Sequence, residues 1–311
     1  MRICIIHQYY KTPKTGGAIR SYYIAKYLHG LGHEVIVVTA RNNKAYSLDS
    51  SEGYAVHYLP VYYENHLSFL SRIHAFGLFV WKAYRLLKKL PSLDLNYVLT
   101  TPLTTGLIDK KAKQSQGIPY IFEVGDLWPD APIELGVLKN SLLKRLALKW
   151  EKSFYNEAER LVALSPDIKE AIQLKAPAKK VDVITNFSDT YLFESSTRNS
   201  LLEEKYGTQE HFVISYFGTV GQANHLEYLI AVAAAAKNEN IKFLVVGAGP
   251  RYDQIKQLAL TEKLKNISFY GHRSKLELKE LMSITDAVFY SFKAVHKLTT
   301  GGHIRFFEGL A

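Results

Sequence analysis

The chain has 311 residues, with 39 basic and 29 acidic side chains, a net charge of +10, and 47% hydrophobic and 22% charged residues. At roughly 150 residues per domain this is enough for two hydrophobic cores, and the composition excludes a disordered, collagenous or disulfide-stapled protein. A single cysteine, Cys4, forbids an internal disulfide and fits a cytoplasmic setting. The longest apolar run, Leu229 to Ala236, falls far short of the ~20 residues a membrane span needs. The stretch Ile3 to Ile6 is likewise shorter than a secretory core of ~7 to 15 residues. Excess positive charge with 13% aromatic residues suits an anionic partner: nucleic acid, membrane head groups or a phosphorylated small molecule. The plain alternative is a soluble protein that simply runs basic.

Short apolar runs alternate with amphipathic stretches, the pattern of βα units around a parallel sheet. Arg2 to His7 reads as the first strand, followed by a loop from Gln8 to Gly17. A helix comes next, with Ile19, Tyr23 and Tyr27 on one face and Ile24, Leu28 and Leu31 beside it. Gly32 closes it, and Glu34 to Thr39 is a buried strand. Further strands are predicted at Ala55 to Leu59, Tyr97 to Thr100, Tyr120 to Val124 and Leu161 to Leu164, which makes a first Rossmann-like domain over residues 1–190. Polar, Ser/Thr-rich residues 191–209 read as a linker. Residues 210–311 open a second βα series. Its predicted strands are Phe212 to Phe217, Lys242 to Val246, Ile267 to Tyr270 and Ala287 to Tyr290, with helices near Leu226 to Lys237, Tyr252 to Glu262 and Lys275 to Ser283. The sequence stops inside an amphipathic pattern around Phe306 to Ala311 with no cap, so this domain is expected to be incomplete.

Gly16 and Gly17 lie between the first strand and the first helix, where a doubly wound sheet places its ligand crevice. Small residues there let backbone approach a bulky anion, and the helix N-terminus behind them offers unpaired N–H groups. A tight turn without a ligand is the competing reading. There is no G-x-G-x-x-G after the first strand, no G-x-x-x-x-G-K-[ST], and no two aspartates one residue apart. Gly247-Ala248-Gly249-Pro250 follows a good strand but lacks the third glycine of a dinucleotide fingerprint. The eleven histidines do not cluster at metal-ligand spacings. Asp126, in Gly125-Asp126-Leu127-Trp128-Pro129-Asp130 after a strand, could orient or deprotonate an acceptor hydroxyl, or could simply cap a turn. From His66 to Leu90, apolar and aromatic residues including Trp81 mix with Arg72, Lys82, Arg85, Lys88 and Lys89. That segment reads either as an interfacial helix facing anionic lipid or as a core helix with a solvated basic edge.

Gly16-Gly17 followed by Leu31 to Thr39 resembles the opening of GT-B glycosyltransferases of family 4, and so do Trp150 to Arg160, Val162 to Pro166 and Val183 to Phe187. Gly218-Thr219-Val220-Gly221, Val245 to Pro250 and Asp286-Ala287-Val288 are similar to that family's second domain. Asp126 to Pro129 resembles a subgroup that builds bacterial O-antigens, capsules and lipopolysaccharide. The resemblance covers essentially the whole chain. It implies two Rossmann-like domains facing each other across a cleft. It also implies retaining transfer of a hexose or N-acetylhexosamine from a nucleotide diphosphate donor, UDP-linked, to a polysaccharide precursor that is lipid-linked. No metal and no cofactor are implied, and nucleic acid is not among the partners. The location implied is cytoplasmic, peripheral on the inner face of the cytoplasmic membrane.

On the family's pattern the donor-binding residues are Gly16, Gly17, Gly218, Gly221, Gln222, Gly301, Gly302, Arg305 and Glu308. Glu308 matches the ribose-binding member of the family's glutamate pair. Thr300 stands where the other glutamate belongs, so backbone around Gly301-Gly302 is expected to meet the sugar. Arg305 replaces the subgroup's lysine and can grip a diphosphate bidentately. The loop Gly218 to His225 lacks the cations that many members carry, which leaves helix N-termini, loop amides and Arg305 to offset the leaving charge. Asp126 is the catalytic candidate, and Trp81, Lys82, Arg85, Lys88 and Lys89 face acceptor or membrane. Two alternatives stay open: a nucleotide-sugar epimerase of the same architecture, and a non-catalytic nucleotide-sugar-binding relative.

Overall fold

The computed structural model describes residues 1–15, 19–64, 67–187 and 198–293. They fall into two compact units, one of residues 1–11 and 19–186, the other of 187 and 198–293 with 12–15 assigned to it. The first unit runs β1 (Arg2–Ile6), α1 (Arg20–Gly30), β2 (Glu34–Arg41), β3 (Ser47–Asp49), β4 (Ala55–Pro60), α2 (Phe69–Leu87), β5 (Leu95–Leu99), a 3-10 turn at Leu103–Thr105 and α3 (Gly106–Gln116). It continues with β6 (Tyr120–Val124), α4 (Asp130–Glu134), α5 (Ser141–Glu157), β7 (Arg160–Ala163), α6 (Pro166–Lys175) and β8 (Val181–Val183). The second unit runs α7 (Ser200–Tyr206), β9 (Phe212–Phe217), α8 (Glu227–Ala235), β10 (Ile241–Val246), α9 (Tyr252–Thr261), β11 (Ile267–Gly271), α10 (Lys275–Ser283) and β12 (Ala287–Val288).

The first sheet has the order β3-β4-β2-β1-β5-β6-β7-β8, parallel except for β3, which pairs antiparallel with β4. Central strands of a parallel sheet are covered on both faces, which is why Ile3 to Ile6 and Val35 to Val38 are unbroken apolar runs. Cys4 and Ile6 meet Phe79 and Ala83 of α2 and Ile108 of α3, while Phe122 and Leu161 meet Phe154 and Tyr155 of α5 and Ile168 of α6. Local chemistry sets the helix ends. Asn140 caps Leu142 and Leu143, and Ser165 caps Ile168 ahead of Pro166. Gly117, at φ +71°, closes α3. The second sheet, β11-β10-β9-β12, is parallel throughout. Its core joins Phe243 and Val245 to Leu229, Ile230 and Ile255 on one face and Leu244 and Val246 to Leu278 and Leu281 on the other.

Three sequence expectations change. The buried face of α1 is Arg20, Ser21, Tyr22 and Ala25, whereas Tyr27 and Leu31 are 69% and 57% exposed. Polar partners inside the unit, rather than apolar periodicity, set the rotation of this helix. Of the stretch read as a linker, 191–197 lie outside the described residues, and Ser200–Tyr206 form α7, whose Leu202 and Tyr206 pack on the second core. The last strand pairs with β9 only through Ala287 and Val288, not as far as Tyr290.

Candidate functional site

In the first sheet β1 is flanked by β2 on one side and β5 on the other, so the order of strands reverses there and a crevice opens at their carboxyl ends. A buried ionic network lies at this edge. Arg20 Nε donates to Glu123 Oε1 at 2.8 Å and its Nη2 to Oε2 at 3.0 Å, the parallel geometry a planar guanidinium favours. Tyr97 Oη donates to the same carboxylate at 2.5 Å, and the remaining Arg20 donors reach the carbonyls of Thr185 and Ile184 at 2.7 and 2.9 Å. Burial works against the Arg20 charge, but Glu123 and Tyr97 outweigh it and hold the pKa above the usual arginine value. Burial and then Glu123 push the Tyr97 hydroxyl up, so it stays a donor. One side chain at the start of α1 thereby ties together the ends of β5, β6 and β8.

His7, just past β1, lies 2.8 Å through Nδ1 from Ser21 Oγ. Burial lowers its pKa to about 4, so the ring is neutral at pH 7. Asp126 follows β6 and is exposed. Thr101 Oγ1 donates to Asp126 Oδ2 at 3.3 Å, with Thr101 at φ +93°, an unusual conformation for a β-branched residue. Its neighbours have structural tasks: Leu127 is in the core, and Asp130 shares Lys175 with buried Glu151 at 2.6 and 2.7 Å. Gly16 and Gly17 lie outside the described residues.

In the second unit two glycine loops interlock through backbone at the sheet's carboxyl edge. Gly218 N donates to Val246 O and Val220 N to Ala248 O, both at 3.0 Å, and Arg251 N closes onto Val220 O at 3.0 Å. A Cβ on Gly247, at φ +148°, would stand 1.7 Å from Gly218 O, and one on Gly249 would stand 2.5 Å from Val220 O. The two glycines therefore serve loop-to-loop contact. Gly218 and Gly221 lie in the first loop and Gln222 is exposed beside them. Arg251 brings a cation to this edge that the loop Gly218 to His225 lacks, bonded to Glu227 at 2.5 Å in the first turn of α8. Gly301, Gly302, Arg305 and Glu308, with Thr300, lie outside the described residues.

On α2 the buried face is Ala75, Phe79, Val80, Ala83 and Leu87, so the segment does have a core side. Leu70, Ile73, Trp81, Arg85, Lys88 and Lys89 are exposed, with Arg85 stacked 4.8 Å over Trp81. Lys82 is not part of that face: its ammonium donates to Pro60 O at 2.7 Å. Among the described residues no helix is long and apolar enough to cross a membrane, and no three His, Cys, Asp or Glu side chains are grouped to hold a metal ion.

The family model described as "Glycosyl transferase 4-like domain" matches residues 15–186, more than half of the chain. The chain belongs to the GT-B glycosyltransferases of family 4. A second model, "Glycosyl transferases group 1", matches residues 200–294 of the enzyme. Over 316 aligned positions the transferase is 24% identical to Escherichia coli (strain K12) WcaI, provisionally assigned as a colanic acid biosynthesis glycosyl transferase, covering 92% of this chain and 75% of that one. Among solved structures, Anabaena Alr3699/HepE in complex with UDP and glucose has a TM-score of 0.69 at 18% identity, covering 100% of this chain and 78% of the other. WaaG, a glycosyltransferase of lipopolysaccharide biosynthesis, has a TM-score of 0.63 at 15% identity, with 99% and 83% covered. At these identities the structural matches establish the two-domain fold.

The sequence reading missed Arg20, Tyr97, Glu123 and Arg251. Glu123 left a trace: a carboxylate in the apolar run Tyr120 to Val124 demands a buried partner. Its partner, distant in sequence, left none.

Proposed function

We propose that this glycosyltransferase moves a sugar, with retention, from a UDP-linked donor to a saccharide precursor carried on lipid, without a metal ion. The interlocked glycine loops of the second unit carry the reading. They hold Gly218, Gly221 and Gln222 at the carboxyl edge of a parallel sheet, where backbone can approach a diphosphate closely. Relatives described with UDP and UDP-glucose support the choice of base. Gly301 and Gly302 would meet the sugar, Glu308 the ribose and Arg305 the departing diphosphate, with Gly16 and Gly17 admitting it from the first domain. Asp126, exposed after β6 and accepting from Thr101 Oγ1, would place the acceptor hydroxyl.

The carrier reading has its own support. Leu70, Ile73 and Trp81, with Arg85 and then Lys88 and Lys89 in the turn that follows, form an exposed apolar-to-basic stretch along α2 and its C-terminal end, suited to anionic head groups. Relatives named for colanic acid and lipopolysaccharide assembly make a polysaccharide precursor the fitting acceptor class.

A thermal-shift panel of UDP, GDP, CDP, ADP and NAD tests the donor. Stabilisation by UDP that is lost in Glu308→Ala and indifferent to chelator is the expected result. A response confined to another nucleotide would overturn the donor assignment. Failure to float with anionic liposomes would remove the membrane part.

A further inference from the structure

A pocket of about 310 Å³ opens at the carboxyl ends of β1, β2 and β4, wholly within the first unit, and Asp126 is not part of its lining. Its size is at the small end of ligand sites, right for one sugar ring. Gln8 forms part of its wall at 1% exposure, and among the described residues neither its amide nitrogen nor its amide oxygen has a hydrogen-bond partner. A buried primary amide left unmatched on both sides is costly, and a ligand hydroxyl can accept from one atom and donate to the other. Tyr9 and Tyr63 supply an aromatic wall, ring centroids 5.0 Å apart, with Tyr63 stacked on Phe76 at 5.6 Å. Such faces pack against the C–H side of a sugar.

Among the described residues the lining carries Lys11 and Arg41 and no acidic side chain. Arg41 rests over the Tyr58 ring at 4.7 Å. Lys11 is exposed at the rim and makes no ion pair among the described residues. Asn43 offers a further exposed amide. The walls are set beforehand, because the Asn42 side chain exchanges two hydrogen bonds with the Tyr63 backbone at 3.1 and 2.9 Å.

We infer that this pocket binds an anionic sugar unit of the acceptor, one bearing a phosphate or a carboxylate; the word acceptor rests on the transferase reading, the pocket chemistry does not. Hydroxyls meet Gln8 and Asn43, the ring lies against Tyr9 and Tyr63, and the charge meets Lys11 with Arg41 behind it.

The test is calorimetric titration of the full chain, with saturating UDP present, by glucose 1-phosphate, glucuronic acid, glucose and inorganic phosphate. At least one anionic sugar is expected to bind roughly tenfold more tightly than glucose and than inorganic phosphate. Which one binds distinguishes phosphate from carboxylate. Lys11→Ala, an exposed change, should weaken it about tenfold, and Gln8→Leu should abolish it, while the UDP thermal shift of both variants stays that of the parent. Anionic sugars binding no better than glucose or phosphate, or both variants binding as the parent does, would overturn the assignment. Sugar binding without any UDP shift would instead sink the donor proposal and leave the pocket standing.

Discussion

The carboxyl edges of the two sheets are organised by different means. In the first unit the loops are joined by side chains: Arg20 spans Glu123, Thr185 and Ile184, Tyr97 joins the same carboxylate, and Thr101 reaches Asp126. In the second they are joined by backbone, with Gly218 and Val220 hydrogen-bonded to Val246 and Ala248 and room for no Cβ at Gly247 or Gly249. A backbone seam fixes the loops against each other and leaves little that substitution can retune. A side-chain network holds loops in place while leaving their tips free to differ, which suits acceptors that vary.

The sharpest way to break the contrast is Gly247→Ala. With φ at +148° and a backbone oxygen 1.7 Å from the new carbon, the seam cannot close, and a loss of about 4 kcal/mol or more is expected. Urea unfolding of the second unit measures it. Gly221→Ala is the control: its nearest neighbour is the Asn224 side chain at 3.2 Å, which can give, so a loss of about 1 kcal/mol at most is expected.

Next in size is the ion pair. Arg20→Met or Glu123→Leu alone strands a buried partner and should cost about 3–5 kcal/mol, whereas the two changes together should cost less than either alone. A double-mutant cycle in urea checks this, and additive losses would show that the network is not the joint proposed here.

His7 offers a smaller, pH-dependent effect. Its folded pKa of about 4 lies below the unfolded value of about 6.5, so its contribution is complete above pH 6.5 and is lost as pH falls through 4. The span is worth about 3 kcal/mol, and His7→Asn should flatten the stability curve across that window.

The smallest effect is at Asp109, buried beside Asn96 at 2.7 Å, where burial drives the carboxyl pKa well above its ordinary value. A raised folded pKa reverses the sign: stability from this group is full below the unfolded value near 4 and is lost as pH rises through the folded one. Asp109→Asn should flatten the loss of stability that sets in as pH rises above about 4, read from melting temperatures across pH. An unchanged slope would show that burial does not hold this carboxyl's pKa up.

How far the site was legible follows from the kind of contact. Tyr120 to Val124, Phe212 to Phe217 and Lys275 to Ser283 form elements over the residues that periodicity marks out, because continuous apolar runs and a capping box at Ser274 and Glu277 are local signals. The face of α1 was misread for the opposite reason. Its buried side is chosen by Glu123 and His7, far away in sequence, and Tyr27 and Leu31 are left outside. Helix α7 was hidden in polar residues, since its seven positions contribute only Leu202 and Tyr206 to a core.

By itself the amino-acid sequence determined the α/β class, the strands other than the short β3 and β8, the family and the places where glycine loops follow strands, all of which are written in local pattern. Tertiary structure alone decided that Gly247 and Gly249 serve a seam between loops, that Arg20 is a joint rather than a surface charge, and that Gln8 lines a pocket with its amide unmatched among the described residues. Each of these depends on residues brought together from separate βα units. Burial then sets the energetic weight of their polar groups, and burial is a property of the packed chain.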